Sequence, residues 1–304
     1  HNEHELGVDP PEMVEHYEGV DWMVSKTMEL YRDCGILDKT YFILVSDHGQ
    51  EEFDKRVDTW AHFGAQVPTF RPKWLEIPFV DHPWTVKEPD SYKDFVAVIP
   101  ATDAKAFVYV AGPGTKPSWN LKPTLEQLRN YPHEGRHVDF VAEAVNWQPV
   151  ALCAAADKLA GTVHVYAAQG AEGIISRVQT EAGVRYRYSV AAGVQDPLGY
   201  TETEGVKDMV CRKLEDCGSS HLFTDTKWLE ASADTNYPDA VVQLSQLFDC
   251  PRAPDLFLSP RKGYALVPDG QDISSHGAIS AQQMHATLAV MGPGLTAQRI
   301  HTAR

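Results

Sequence analysis

No stretch of this 304-residue chain approaches the roughly 20 consecutive apolar residues that a membrane-crossing helix needs, so nothing in it reads as a bilayer span. Basic runs are missing too. Lys and Arg number 27 against 42 Asp and Glu, a formal net charge of −15 that opposes nucleic-acid polymers and anionic membranes unless metal ions reverse the sign locally. That points to a small-molecule substrate. The five cysteines, Cys34, Cys153, Cys211, Cys217 and Cys250, are odd in number and never spaced C-x-x-C. They read as reduced, mostly buried thiols rather than a disulfide framework or a zinc knuckle, which leans toward the cytoplasm. No signal peptide opens the chain, although a start on His1 without an initiator Met leaves the natural beginning open. The glycine-rich Ala111-Gly-Pro-Gly-Thr115 lacks the lysine and the spacing of a phosphate-binding P-loop and reads as a turn.

What is present is a chain of ordinary globular composition, 43% hydrophobic, long enough for one large domain or two smaller ones. Its most informative stretch is Tyr41-Phe-Ile-Leu-Val-Ser-Asp-His-Gly49, an apolar run that stops on a carboxylate, an imidazole and a glycine. Without polar alternation, Tyr41 to Val45 predicts a strand buried on both faces, as in a mostly parallel sheet. Ligands bind beyond the carboxyl ends of such strands, where Asp47 and His48 fall and where Gly49 lets the backbone turn. Asp and His there supply hard oxygen and borderline nitrogen donors for one metal ion. Upstream, His1 to Gly7 reads as a polar loop. Apolar residues at Met13, Tyr17, Val20, Val24, Met28 and Tyr31 then predict a packed amphipathic helix ending near Cys34-Gly35.

Residues 50 to 94 read as a long loop or cap, with His62 and His82 able to reach a site. Strands follow at Phe95 to Ile99 and Ala106 to Val110, then a helix over Thr124 to Tyr131. His133-Glu-Gly-Arg-His137 has the H-E-x-x-H spacing of a zinc protease, but that chemistry needs a rigid helix, and Pro132 and Gly135 weaken one. Residues 139 to 160 look helical. Three strands over Gly161 to Ala168, Gly173 to Thr180 and Val184 to Val190 make an antiparallel meander. Asp196 to Tyr200 is a turn before a helix near Glu204 to Leu214. Tyr237 to Phe248 is a core-facing helix, Asp255 to Ser259 and Thr287 to Met291 are buried strands, and Ser274-Ser-His-Gly277 is a polar loop carrying a second histidine and glycine pair.

Taken together, His4-Glu-Leu-Gly7, Ser46-Asp-His-Gly49 and Ser275-His-Gly277, followed by Met284 and Gly292-Pro-Gly294, resemble the alkaline phosphatase superfamily, in its type I phosphodiesterase/nucleotide pyrophosphatase branch. The resemblance in order and kind covers residues 1 to 50 and 237 to 295, with Asp196 to Tyr200 also similar. It implies an α/β three-layer sandwich with a central, mostly parallel sheet. Residues 1 to 64 and 236 to 304 then form the hydrolase core, and residues 65 to 235 an accessory region with the remaining core elements. It also implies two divalent metal ions, zinc or in its place Mn, Fe or Mg. His4 and His276 would ligate one, Asp47 and His48 the other.

The implied activity is hydrolysis of a phosphodiester or phosphomonoester through a transiently phosphorylated Thr or Ser. By the same resemblance that nucleophile and two metal-binding aspartates lie upstream of His1, which leaves residues 1 to 304 little or no esterase activity of their own and an uncovered apolar helix face. Sulfatase or phosphonate chemistry on the same fold, an inactive binding fragment, and the protease on His133, Glu134 and His137 are the alternatives.

Overall fold

The computed structural model describes residues 2–72, 94–114, 116–212, 217–218 and 221–296. His82 therefore lies outside the described residues. The chain opens with a short helix, α1 (Asn2–Leu6), where a loop was expected, closed when the Gly7 amide donates to the Glu3 carbonyl at 2.9 Å. A long helix, α2 (Pro11–Asp33), follows, with proline tolerated in its first turn. Then come β1 (Phe42–Val45), β2 (Glu51–Arg56), α3 (Thr59–Gly64), β3 (Thr69–Phe70), β4 (Ala97–Val98) and β5 (Ala106–Val110). β2 and α3 correct the reading of this region as an irregular cap. Asp58 caps α3 by accepting from the Ala61 amide.

Next are α4 (Leu125–Arg129), the hairpin strands β6 (Tyr131–His133) and β7 (Arg136–Val138), α5 (Phe140–Val145), and β8 (Val150–Asp157), β9 (Thr162–Ala167), β10 (Ala171–Thr180) and β11 (Gly183–Ser189). Thr124 and Gln127 form a reciprocal capping box on α4. The meander is where it was expected. The helix expected over 139 to 160 is half strand: Val150-Ala-Leu-Cys-Ala-Ala-Ala-Asp157 favours helix by propensity, yet it pairs on both sides, with β9 and with a later strand, and tertiary pairing overrides propensity. The final third holds β12 (Val210–Cys211), α6 (Asp225–Ser232), α7 (Ala240–Leu247), β13 (Leu256–Pro260), β14 (Gly263–Ala265), β15 (Ser274–Ser275), α8 (Ala281–Met284) and β16 (Leu288–Met291). Where a helix was expected near Glu204 to Leu214, the described residues make a single 3-10 turn, Lys207–Met209, and then β12.

Nine strands form one sheet in the order β12-β11-β10-β9-β8-β13-β5-β4-β3. The mostly parallel sheet of the expectation is corrected: parallel pairing occurs only at the rims, β3 with β4 and β11 with β12, and every pair between them is antiparallel. Short connections such as the β8-β9-β10-β11 meander cannot make the crossovers that parallel neighbours require. The fold is thus mixed α/β, with helices on both faces of the sheet. On one face Phe63, Leu128 and Phe140 pack against Val108, Cys153, Leu256 and Leu258. On the other Trp228, Val241 and Leu244 pack against Leu152, Val165, Tyr188 and Phe257. Such fully buried side chains contribute about 1.5–3 kcal/mol each relative to exposure.

Asp196 organises the lower rim, accepting from the Tyr188 hydroxyl and from the Leu198 and Thr201 amides, so the Asp196 to Tyr200 turn is a buried-polar junction. Cys211 and Cys217, expected as reduced thiols, are joined in a disulfide with their Cα atoms 5.8 Å apart. Five intervening residues concealed the pairing, because spacing alone does not reveal which thiols a turn brings together.

The largest departure lies outside this sheet. β1 pairs antiparallel with β16 in a separate two-stranded sheet, so neither is the doubly buried strand expected. Ile43 and Val45 are 65% and 64% exposed, and Leu288, Val290 and Met291 are exposed beside them. Along α2, the only buried residue is Met13, while Val14, Tyr17, Val20, Met23 and Leu30 lie in solvent. The apolar periodicity correctly marked a helix; what it could not mark is whether the described chain supplies anything to cover that face.

Two consequences are measurable. The 304-residue chain should enhance the fluorescence of an apolar dye such as ANS, and Tyr17→Glu combined with Ile43→Lys should weaken that signal without altering the far-ultraviolet spectrum. Asp255, at the start of β13, accepts from the Val110 amide at 2.8 Å. Burial raises its pKa from 3.8 to about 6. A carboxyl raised on folding takes up its proton more readily in the native state, so stability is greatest below the unfolded pKa and falls as pH rises toward 6. Asp255→Asn, whose amide oxygen can still accept from Val110, should flatten that fall by roughly 2–3 kcal/mol, read from denaturation midpoints across pH 3 to 7.

Candidate functional site

The four residues that the resemblance assigns to metal ions lie close together. His4 comes from α1, Asp47 and His48 from the turn after β1, and His276 from the turn after β15. His48 stacks on His276 with ring centroids 3.4 Å apart, and His4 meets His276 edge-on at 5.3 Å. Asp47 places Oδ2 3.2 Å from His48 Nε2 and is otherwise largely in solvent. The separation along the chain is bridged by β2, which pairs with β15 and so holds Ser274 and Ser275 beside Glu52 and Glu51.

Backbone carbonyls orient two of the rings. His4 Nδ1 lies 3.0 Å from the Ser274 carbonyl, and His48 Nδ1 lies 2.8 Å from the Gly49 carbonyl. A carbonyl can only accept, so Nδ1 of both rings donates, while Nε2 of His48 faces the Asp47 carboxylate. Asp272 stands 3.8 Å from His4 Nδ1. It is held there because Arg56 donates to the backbone carbonyls of Asp269 and Asp272 and pairs with Asp103 at 2.6 Å.

Two motif glycines are required by close approach. A side chain at Gly49 would stand 2.0 Å from the Gln282 carbonyl oxygen. Gly49 therefore admits α8 against the turn, rather than supplying a left-handed bend. At Gly277 the left-handed backbone, φ +109°, is what calls for glycine; a Cβ there would fall 2.1 Å from Lys105 Nζ, the movable end of a long side chain.

Electrostatically, the cluster favours neutral imidazole at its centre. The His276 pKa is pushed down from 6.5 to about 4, first by burial and then by the neighbouring His48, His4 and Lys105. At neutral pH its nitrogens are therefore not occupied by a second proton.

One carboxylate and three imidazoles are donors suited to a divalent cation. Their arrangement does not close a ligand sphere: among the described residues no three His, Cys, Asp or Glu side chains are grouped to hold a metal ion. The stacking of His48 on His276 explains why. Imidazole lone pairs lie in the ring plane, so parallel rings send them side by side rather than toward one point. The nearby hydroxyls are already engaged or covered. Ser46 Oγ donates to the His48 carbonyl at 2.6 Å, Ser274 Oγ donates to the Glu3 carbonyl at 2.5 Å and accepts from Gln50, and Ser275 is buried.

Other candidates lie elsewhere. His62 stacks on Trp147 with centroids 4.3 Å apart, and its Nε2 is 2.9 Å from the Glu143 carbonyl, a packing role. The protease-like motif is a β-hairpin, with His133 paired to Arg136 and with Glu134 and Gly135 at φ 50° and 78°. Its histidines have no common helix face. Asp272, Arg56 and Lys105 were missed, because none sits in a motif and their proximity to the histidines depends on strand pairing.

Fold and cluster define a mixed α/β protein with an edge of imidazoles and carboxylates. Residues 1–147 match the model of the type I phosphodiesterase/nucleotide pyrophosphatase family, part of the alkaline phosphatase superfamily, and the resemblance read from the motifs is thereby shown. The family is one of hydrolases. His4, Asp47 and His48 fall inside the matched residues and His276 outside them. No curated protein and no solved structure matches the chain. No described helix is long and apolar enough to cross a membrane.

If the hairpin is a structural turn, Glu134→Ala and His137→Ala should leave any hydrolytic activity within about twofold of wild type, as surface substitutions usually do. Loss of a peptidase activity in either variant would show instead that the motif is functional.

Proposed function

We propose that the chain works in hydrolysis of small phosphodiesters or phosphomonoesters, in the manner of a nucleotide pyrophosphatase or phosphodiesterase. The observation that supports this most is the convergence of His4, Asp47, His48 and His276 within a chain whose first half matches a family of such hydrolases. In this reading His4 and His276 serve one divalent ion and Asp47 and His48 another, with zinc the first candidate because imidazole nitrogen suits it. Closing two ligand spheres requires the rings to turn from the stacked arrangement and further ligands to join them. When bound, the ions would supply positive charge against the negative charge that develops on phosphoryl oxygens.

The residues of the chain have definite parts in this reading. Carbonyl contacts hold His4 and His48 with Nε2 outward, and the neutral ring of His276 leaves its lone pair free of proton competition at neutral pH. Ser46 and Ser274 are tied to backbone carbonyls, so neither suits attack on phosphorus.

The test uses p-nitrophenyl phosphate, bis(p-nitrophenyl) phosphate and p-nitrophenyl sulfate with the full-length protein, alongside metal content. Phosphate esters should be cleaved, and exhaustive chelation should abolish turnover. His276→Ala or Asp47→Ala should lower metal content and turnover together, the latter by more than about a hundredfold, since loss even of an outer-shell partner costs 10–100-fold. Full activity after chelation would overturn the metal reading, and preferential sulfate cleavage would assign the other chemistry to the fold.

A further inference from the structure

Beside the histidine cluster lies a cavity of about 300 Å³ whose walls are not explained by the four histidine and aspartate positions. It is lined by His48 and His276 at one end and by apolar side chains at the other, among them Phe107, Leu244, Leu247, Phe257, Ile279 and Met284. That volume is at the small end of pockets that hold organic ligands. Strand geometry builds it. Phe257 of β13 pairs directly with Phe107 of β5, so both rings stand on one face of the sheet, 5.9 Å apart. α7 supplies Leu244 and Leu247 above them.

One positive charge enters this apolar wall. Lys105 immediately precedes β5, two residues from Phe107, and the two-residue side-chain period of extended chain puts it on the same face. Its ammonium reaches the space that a side chain on Gly277 would occupy, directly after His276. Among the described residues no carboxylate and no hydrogen-bond acceptor pairs with Nζ. Burial alone bears on it, lowering its pKa without an opposing charge. A half-buried cation without a partner bears part of the cost of leaving water, which an anion brought by a ligand would offset.

The geometry points to Lys105 as the anion-binding residue of a pocket that takes a phosphate ester with an aryl-sized apolar group, the phosphoryl oxygens on Nζ beside His276 and the apolar group between Phe107, Phe257 and α7. This rests on, and sharpens, the reading of the histidine cluster as a phosphoesterase site. It selects aromatic or similarly apolar leaving groups over short alkyl ones, and it assigns charge recognition to a residue that carries no metal.

Equilibrium binding tests it without requiring turnover. Phenyl phosphate, methyl phosphate and phenol are titrated into the full-length protein by calorimetry, for wild type, Lys105→Met, Lys105→Arg and Leu247→Gln. Wild type should bind phenyl phosphate at least about tenfold more tightly than methyl phosphate, a difference of roughly 1.4 kcal/mol. Lys105→Met should lose most of the phenyl phosphate affinity while leaving phenol binding unchanged, which a misfolded pocket would not do. Lys105→Arg should recover part of the lost affinity, and Leu247→Gln should shrink the phenyl advantage while leaving methyl phosphate binding as it was. Equal binding of phenyl phosphate by wild type and Lys105→Met, or equal binding of phenyl and methyl phosphate by wild type, would overturn the proposal. Selective binding without any turnover would uphold the pocket and count against the hydrolase reading alone. Turnover with unchanged KM for phenyl phosphate in Lys105→Met would do the reverse.

Discussion

Ser274 is the tie on which the candidate site depends. Its buried hydroxyl donates to the Glu3 carbonyl and accepts from Gln50, while its own carbonyl meets His4, so one residue joins the first helix, the start of β2 and the loop that carries His276. The Ser274 hydroxyl and the Gln50 amide are removed from water, and either would be left unsatisfied if its partner were lost, at a cost of roughly 1–3 kcal/mol. The arrangement is therefore mutually dependent. Where Ser274 goes, His276 follows two residues later, and the Asp269 to Asp272 loop comes with it through Arg56.

This tie explains how much of the site could be read from the chain. The turn after β1 was legible because an apolar run ending on Asp47-His48-Gly49 is a local pattern, and the histidine and glycine pair at 276 and 277 repeats it. That these would meet was an inference from resemblance, since no local rule brings positions so far apart together. Lys105 carried no signal at all. Its position depends on β5 pairing with β13, which in turn places Phe107 against Phe257, and such register is set by burial on both faces of a sheet rather than by any motif.

The fold shows the same division. Elements with a clear period were found: α2, α7 and the meander of β9 to β11 stand where expected. Failures came where composition and pairing disagree. β8 is alanine-rich and would favour a helix in isolation, but strands on both sides claim its backbone donors and acceptors. The parallel sheet was inferred from one doubly apolar strand. β1 has that apolar sequence, yet among the described residues only Phe42, which meets the Tyr31 ring, is partly covered, and Ile43, Leu44 and Val45 are exposed.

Coverage and chemistry meet at that strand. Asp47 and His48 are carried at the end of β1, which among the described residues pairs with β16 alone. β1 and β16 mutually align four residue pairs, and Gly49 then locks against α8 by close backbone approach, which fixes the direction in which His48 leaves the strand. By contrast Asp47, highly exposed, is held only by His48 and by the strand end. The cluster thus has a packed side, where His4, His48 and His276 each make a backbone contact or a ring contact, and an open side, where Asp47 faces solvent. Ser274 and Ser275 close one flank of the cluster, whereas Asp47 faces solvent and His48 and His276 also border the cavity beside Lys105. In the proposed reading, a polar ester would enter at that open side and its apolar part would lie in the cavity that His48 and His276 line.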